Sequence, residues 1–367
     1  MTESIRVLQV VTHMNRGGLE TMLMNYYRHM NRSRVQFDFL THRQERADYD
    51  DEIESLGGKI YRLPRLVPWS NNYKRTLDAF FKAHPEYRIV HVHQDCLSSV
   101  ILKAAQQNGV PVRIAHSHSS SQDKDVKYPI KLFCKRSIPN FSTELFACGQ
   151  DAGCWMFSGA PFQILRNAID AAAYRFDAQR ASQVKQSLGI RQDSLVIGHV
   201  GRFSHPKNHA LLIDIFSVLH KKCPNSFLLL IGEGKLQPKI KKKVKVLGLE
   251  QTVLFAGLRR DVPDLLQAMD VFVFPSLYEG LPVTLVEAQA SGLPCVISDK
   301  IPGDCDLTKL VTRVSLEKSP DFWATQILAA KDVPRKDTCA EIVATGFDIE
   351  ENVKWLENFY MQRWGVK

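Results

Sequence analysis

Short apolar runs of strand length alternate along the whole chain with stretches whose apolar residues recur at helical spacing. That rhythm belongs to a parallel sheet with helical crossovers, because a strand covered on both faces reads as an unbroken apolar run and its return helix as an amphipathic one. In the first half the pattern predicts strands at residues 7–11, 37–40, 89–93, 112–116 and 145–148, with helices such as 19–30 and 96–108 between them. In the second half it predicts strands at 195–200, 227–231, 253–256, 271–274 and 295–297, each followed by a helix. Between the halves, residues 164–170 read as a short strand running into turn-forming residues, which places a hinge there. The expected fold is α/β, two Rossmann-like domains in tandem, with boundaries at 1–168 and 169–347 and a last segment, 348–367, whose helix around 350–360 packs back onto the first domain. Length agrees: 367 residues, 44% of them hydrophobic, exceed what one core usually supports.

Charge adds a partner class. A formal charge of +9 and a pI near 9.1 favour an anion, which nucleic acid, a nucleotide sugar or acidic lipid would each satisfy. Lys124, Lys127, Lys131, Lys135 and Arg136 are interleaved with Val126, Tyr128, Ile130, Leu132 and Phe133, a composition suited to peripheral contact with acidic headgroups. The lysine run at 239–245 reads instead as the solvated face of a helix. Nucleic acid is set aside because no recognised module of interleaved aromatic and basic residues accompanies the charge. Eight cysteines (Cys96, Cys134, Cys148, Cys154, Cys223, Cys295, Cys305, Cys339) show no CxxC pair and no metal-ligand spacing, so they are expected as free thiols in the core of a cytoplasmic protein. The first apolar run is of strand length, far short of a signal or a membrane span.

Candidate chemistry concentrates in the second half. Gly201 and Arg202, then Lys207 and Asn208, lie in the loop after the strand at 195–200 and before a helix that starts near His209. Loops at the carboxyl ends of parallel strands bind ligands, and two cations there suit a diphosphate. After the strand at 271–274 come Glu279, Gly280, Leu281, Pro282, Val283 and Thr284, and further along the same helix Glu287. Pro282 is expected as the first helical residue, with free backbone N–H groups at the helix start facing an anion. The spacing would let one glutamate accept hydrogen bonds from a hexose and the other from a ribose, on either side of a diphosphate. A capping glutamate followed by a surface glutamate is the alternative for such a pair taken alone.

Together these motifs resemble the retaining GT-B enzymes of glycosyltransferase family 4: Gly201 and Arg202 with Lys207 and Asn208, Glu279 and Glu287 as the E-x7-E motif, and the lead-in and follow-on around them at 261–265, 269–276 and 290–297. In the first half the likeness is looser, through Gly17, Gly18, Leu19 and Glu20 after the first strand, His116, and Asn167 to Asp170, where the family often has glycine in place of Ala168. The resemblance implies two domains facing across a cleft that closes about 167–170, and a metal-independent hexosyltransferase with no cofactor, for which a UDP-sugar is the donor. Arg202 and Lys207 would neutralise the leaving diphosphate, Glu279 would meet the transferred sugar and Glu287 the ribose. Backbone amides around the stretch Gly280, Leu281, Pro282, Val283 and Thr284 would hold sugar and phosphates, while Gly17 and Gly18 admit the donor phosphate and His116 sits by the sugar. Residues 314–323 resemble exopolysaccharide and capsule transferases within the family, which implies a saccharide acceptor, lipid-linked, at the inner membrane face.

Of twelve histidines, His91, His93, His116 and His118 cluster near strand ends. Two histidines a pair of residues apart share a strand face, but no third ligand has convincing spacing, so no metal is expected there. His118 stands two residues from His116 as a competing position; His205 and His209 are expected as incidental loop residues. Three Asp-x-Asp triplets, at 48–50, 123–125 and 304–306, lack the strand context of a metal site and read as loop carboxylates. Two other functions fit the same fold: a non-catalytic subunit that binds nucleotide sugar, and a UDP-sugar epimerase.

Overall fold

The computed structural model describes residues 4–119, 121 and 128–365. Lys124, Val126 and Lys127 of the first basic cluster, and Asp123 and Asp125, lie outside the described residues. The chain divides into two units, residues 1–168 with 349–367, and residues 169–348.

The first unit carries a seven-stranded sheet of β1 (Ile5–Val10), β2 (Val35–Thr41), β3 (Ile60–Arg62), β4 (Ile89–Val92), β5 (Val112–Ser117), β6 (Glu144–Ala147) and β7 (Gln163–Ile164), in the order β3-β2-β1-β4-β5-β6-β7. The second carries six strands, β8 (Leu195–Val200), β9 (Ser226–Ile231), β10 (Val253–Gly257), β11 (Val271–Phe274), β12 (Cys295–Ser298) and β13 (Val311–Val314), in the order β10-β9-β8-β11-β12-β13. Every pairing is parallel. Both sheets are Rossmann-like, and in each the strand order reverses once, between β1 and β4 and between β8 and β11. Open parallel sheets bind ligands at that switch point, outside the carboxyl ends of the strands. In the second unit the two loops that flank it, after β8 and β11, carry the candidate residues; in the first, the loop after β1 carries Gly17 and Gly18, while His116 lies on β5 itself.

The strands read from the sequence are present to within two residues at each end. The two further strands, β3 and β13, are edge or outer strands that carry Tyr61 and Arg62, or Thr312 and Arg313, at half-buried positions, so no continuous apolar run marks them. The helix expected at 96–108 opens with a 3-10 turn, Asp95–Leu97, before Ser98–Gln107. Three of the eight cysteines depart from the expected core: Cys154 is exposed, and Cys223 and Cys339 are half-buried. Asp50 is no loop carboxylate either; it opens the helix Asp50–Ser55, buried and paired with Arg62 at 2.6 Å. In the second unit Trp323 is buried against Phe216, Leu230 and Val296 and donates its indole N–H to the Ser315 carbonyl at 3.2 Å. The lysine-rich helix Gln237–Val246 buries Ile240 and Val244, and leaves Lys239, Lys241, Lys242 and Lys245 exposed or half-exposed.

The last helix, Ile349–Trp364, belongs to the first unit. It buries Val353, Leu356 and Tyr360, and the Tyr360 ring meets Phe37 of β2 edge-on at 6.0 Å. Glu357 accepts from the Asn31 backbone N–H and pairs with Arg34 at 3.1 Å, clamping the helix to the turn before β2. Full burial of each such apolar side chain contributes about 1.5–3 kcal/mol. Among the described residues no helix is long and apolar enough to cross a membrane.

Candidate active site

In the second unit, the loop after β8 is held open by its neighbours. Phe203 donates its backbone N–H to the Glu233 carbonyl at 3.0 Å, and Gly201 donates to the Ile231 carbonyl at 2.9 Å. Gly232, at φ +125°, lies so close that a side chain there would meet the Gly201 carbonyl oxygen at 2.4 Å. The Gly232 to Gly234 loop therefore shapes the binding loop, a contribution the sequence reading missed although two glycines at a strand's carboxyl end were visible in it. The loop turns through the 3-10 segment His205–Lys207, and Asn208, in the left-handed region at φ 51°, starts the helix His209–Lys222. Asparagine tolerates that conformation better than most residues.

Lys207 ends up against the loop after β11. Its Nζ donates to Glu279 Oε1 at 2.7 Å and sits 4.6 Å from the centre of the Phe274 ring. The two side chains retain 18% and 13% exposure, so the pair is largely shielded from water. The Leu277 backbone N–H donates to the Pro206 carbonyl at 2.7 Å, which ties the two loops together. Gly201 completes the arrangement: a Cβ there would stand 3.3 Å from Lys207 Cδ. Arg202 is exposed on the same loop. Thus residues 72 positions apart in sequence, read separately as a phosphate cation and a sugar carboxylate, form one ion pair.

The helix after Glu279 spans Val283–Ala290, with Pro282 as its N-cap at φ −72° and ψ 114°. Pro282 is therefore one position outside the place expected for it, because its ψ is still extended. Gly280 and Leu281 lead into that cap, and the first helical amides, at Val283 and Thr284, have no carbonyl one turn back to bond. The Ser276 and Thr284 hydroxyl oxygens are buried with no hydrogen-bond partner among the described residues, two polar atoms left for a ligand at this end of the helix. Glu287 is buried, not the surface residue of the alternative reading, and accepts from the Tyr174 hydroxyl at 2.8 Å. Burial pushes its carboxyl up to about 7 against the lowering effect of that hydrogen bond. Tyr174 went unnoticed in sequence because its partner lies 113 residues away.

Behind this loop, His209 is a buried first helical residue rather than a loop residue, its ring stacked on Phe203 at 4.0 Å, while His205 is exposed. Burial lowers the His209 imidazole to about 2 and that of His199, under Lys207 on β8, to about 4.

In the first unit, Gly17 is the N-cap of the helix Gly18–His29, one residue earlier than expected, and makes no side-chain cap. Gly18 is exposed, and a side chain added there would meet nothing within 4 Å. The helix is anchored at the unit's far end: Tyr26 donates to the Arg166 carbonyl at 2.7 Å and Asn25 to that of Ala168 at 3.2 Å. His116 on β5 is buried in a stack of imidazoles. His91 Nε2 lies 3.1 Å from His116 Nδ1, and His93 Nδ1 lies 2.8 Å from His118 Nε2. The expectation that no third ligand accompanies His91 and His93 is overturned: one nitrogen from each of His91, His93 and His116 falls within 4.8 Å of the others, because β4 and β5 are neighbours. Spacing along a single strand cannot reveal that.

Comparison with known proteins follows the same division. The family described as Glycosyltransferase Family 4 matches residues 16–171, and Glycosyl transferases group 1 matches residues 181–321. The chain is 41% identical over 369 residues to the putative glycosyltransferase EpsF of Bacillus subtilis (strain 168), covering 97% of this chain and 96% of that protein. It is 24% identical over 295 residues to the UDP-Gal:alpha-D-GlcNAc-diphosphoundecaprenol alpha-1,3-galactosyltransferase of Escherichia coli, covering 75% and 76%. Among solved structures, Anabaena Alr3699/HepE in complex with UDP and glucose superposes with a TM-score of 0.79 at 18% identity, covering 98% of this chain and 100% of that one. The two Rossmann-like units are those of the GT-B fold.

Proposed function

The chain belongs to the glycosyltransferases of group 1 and family 4, and on that premise we propose that it transfers a hexosyl group from a UDP-sugar to a lipid-linked saccharide in exopolysaccharide or capsule assembly, with retention at the anomeric carbon and without a metal ion. The observation that carries this reading is the Lys207–Glu279 pair at the switch point of the second sheet, beside exposed Arg202 and the open start of the helix Val283–Ala290. A diphosphate placed there meets Arg202, Lys207 and the backbone N–H groups of Gly280, Leu281, Val283 and Thr284, with Pro282 fixing the turn into the helix; Gly201 gives Lys207 room, and Asn208 fixes the loop. Glu279 then accepts from the sugar hydroxyls and Glu287 from the ribose. On the first unit, taken by itself, Gly17 and Gly18 leave backbone open to a phosphate, and the family likeness assigns His116 to the sugar. Uridine and a lipid-linked acceptor are supported by the UDP of the Anabaena complex and by the UDP-galactose and diphosphoundecaprenol-linked substrates of the Escherichia coli relative. A membrane-facing acceptor also suits the helix Tyr128–Arg136, where Phe133 is 75% exposed among Lys131, Lys135 and Arg136.

The bond from the anomeric carbon to the diphosphate oxygen breaks as the acceptor oxygen bonds on the same face, and the acceptor's proton passes to the departing phosphate. Two cations and helix amides stabilise the charge that develops on the leaving group, the role a divalent ion fills in other enzymes. Positioning supplies much of the remainder. The test follows nucleotide release from UDP- and GDP-sugars in EDTA, with and without lipid extract. Turnover of one donor that depends on added lipid acceptor is the expected result; conversion without acceptor would indicate an epimerase, and binding without turnover a non-catalytic subunit.

Gly18 offers a cleaner check of the first unit. Gly18→Ala meets no atom in the free protein and favours the helix, so the melting temperature is expected to hold or rise slightly. Donor turnover is expected to fall about tenfold or more, since a methyl blocks a close backbone contact with phosphate worth about 1.5 kcal/mol or more. Unchanged turnover would remove Gly18 from the site.

A further inference from the structure

The reading above puts His116 beside the sugar, but leaves unexplained why three more imidazoles, a glutamine and a tyrosine are linked to it in the interior of the first unit. Their hydrogen bonds form two chains that meet at Gln9 on β1. Gln9 Nε2 donates to the Tyr360 hydroxyl at 3.4 Å, and Tyr360 lies 2.7 Å from His91 Nδ1. Gln9 Oε1 lies 2.9 Å from His93 Nε2. From these the chains run on to His116 and His118 through the pairs at 3.1 and 2.8 Å. The last atoms, His116 Nε2 and His118 Nδ1, are buried with no partner among the described residues.

A neutral imidazole has one N–H and one bare nitrogen, so each bond dictates the next. A hydroxyl that accepts from Gln9 donates to His91 Nδ1; His91 therefore carries its proton on Nε2 and donates to His116 Nδ1, and His116 is left with an N–H at Nε2. On the other chain His93 must donate from Nε2 to Gln9 Oε1, so its bare Nδ1 accepts from His118 Nε2–H, and His118 is left with a bare Nδ1. We propose that Gln9 and Tyr360 are positioning residues that set these tautomers, so that His116 and His118 present one donor and one acceptor to a single sugar hydroxyl. The two rings lie 4.0 Å apart, and a hydroxyl, which both accepts and donates, satisfies both ends. A carboxylate, which only accepts, cannot. This rests on the reading that His116 meets the donor sugar.

The cluster is neutral on physical grounds. Burial holds His91, His93 and His116 well below their ordinary range and His118 at about 3, and keeps the Tyr360 phenol protonated. A metal at His91, His93 and His116 would need their lone pairs to converge on one point, whereas at these separations the nitrogens of His91 and His116 face each other as a hydrogen-bonded pair.

The test is a long-range proton–nitrogen correlation spectrum of the full chain labelled with nitrogen-15 histidine, assigned by single substitutions. In the ligand-free protein all four rings are expected neutral with the proton on Nε2. Tyr360→Phe removes the donor to His91, so His91 and His116 lose their single tautomer while His93 and His118 keep theirs, and KM for the donor sugar rises about tenfold with UDP affinity unchanged. A proton on Nδ1 or a charge in any of the four wild-type rings, an unmoved His116 in Tyr360→Phe, or stoichiometric metal in the purified protein would each overturn the proposal. Titration with UDP-glucose, UDP-galactose and UDP-N-acetylglucosamine against UDP alone separates the underlying reading: if no sugar shifts His116 or His118 beyond what UDP does, the hydroxyl contact and the sugar assignment of His116 fall together, although the ligand-free tautomers stand.

Discussion

Lys207→Ala is expected to lower kcat/KM for the donor by about 10²–10³-fold, the scale on which removal of one preorganised charge from a developing anion costs catalysis. Two effects add. The leaving diphosphate loses a cation, and Glu279 loses the ammonium 2.7 Å from its carboxylate. A carboxylate that has lost its ammonium in a site this shielded then opposes the approach of a dianion, so donor binding weakens beyond the loss of one contact. Loss of the ion pair costs the fold about 1–2 kcal/mol, read as a lower melting temperature. Lys207→Ala combined with Glu279→Gln removes the repulsion, and is expected to recover donor affinity by about tenfold while turnover stays low because Glu279 no longer serves the sugar. Kinetics and calorimetric titration with UDP-sugar on wild type, Lys207→Ala, Glu279→Gln and the double variant measure both parts. A double variant that binds no better than Lys207→Ala would mean that the pair acts only as a structural clasp between two loops.

Glu287→Gln is expected to move stability and binding in opposite directions. In the free protein the carboxyl is buried and its acidity is weakened to about 7, whereas in the unfolded chain it returns to the ordinary 4.5. Between those values the folded state holds a proton that the unfolded state has released, so stability falls as pH rises from about 4.5 to 7 and the loss is complete above 7. The full shift corresponds to roughly 3 kcal/mol as an upper figure, and glutamine at this position escapes it, so Glu287→Gln is expected to melt several degrees above wild type at pH 8 and to differ little at pH 4.5. Donor affinity is expected to fall about tenfold or more in the same variant, since an ionised carboxylate accepts from ribose hydroxyls more strongly than an amide. In wild type, affinity for UDP should rise with pH through about 7 as the carboxylate ionises, and that rise should be absent in Glu287→Gln. A variant that is both less stable and unchanged in UDP affinity would make Glu287 a partner of Tyr174 and nothing more.

Much of this architecture was legible in sequence. Strands covered on both faces announce themselves as apolar runs, which is why β8 and β11 read to the residue and the two loops at their carboxyl ends were found. Outer strands β3 and β13 were not, since one uncovered side admits Arg62 and Arg313 and breaks the pattern. The candidate loops were likewise legible as separate motifs, each of a kind that occurs by chance. What sequence could not give was pairing across the fold: Lys207 with Glu279, Glu287 with Tyr174, His91 with His116. Spacing along a helix or strand carries information about one element, while these contacts depend on which strands are neighbours in the sheet. For the same reason the four histidines could be seen to gather near strand ends, while the bonds from His91 to His116 and from His93 to His118 could not.

The return of residues 349–367 to the first unit sets the order in which the protein can be made. The N-terminal half leaves the ribosome first, but Phe37, His91 and Gln9 wait for Tyr360 and its helix, which are synthesised only after the whole second unit. The second unit, a continuous stretch from 169 to 348, holds all its strands before that helix exists. A chain that stopped before residue 349 would therefore hold a finished second unit joined to a first one with its histidine stack uncovered, a product that cellular proteases are well placed to recognise.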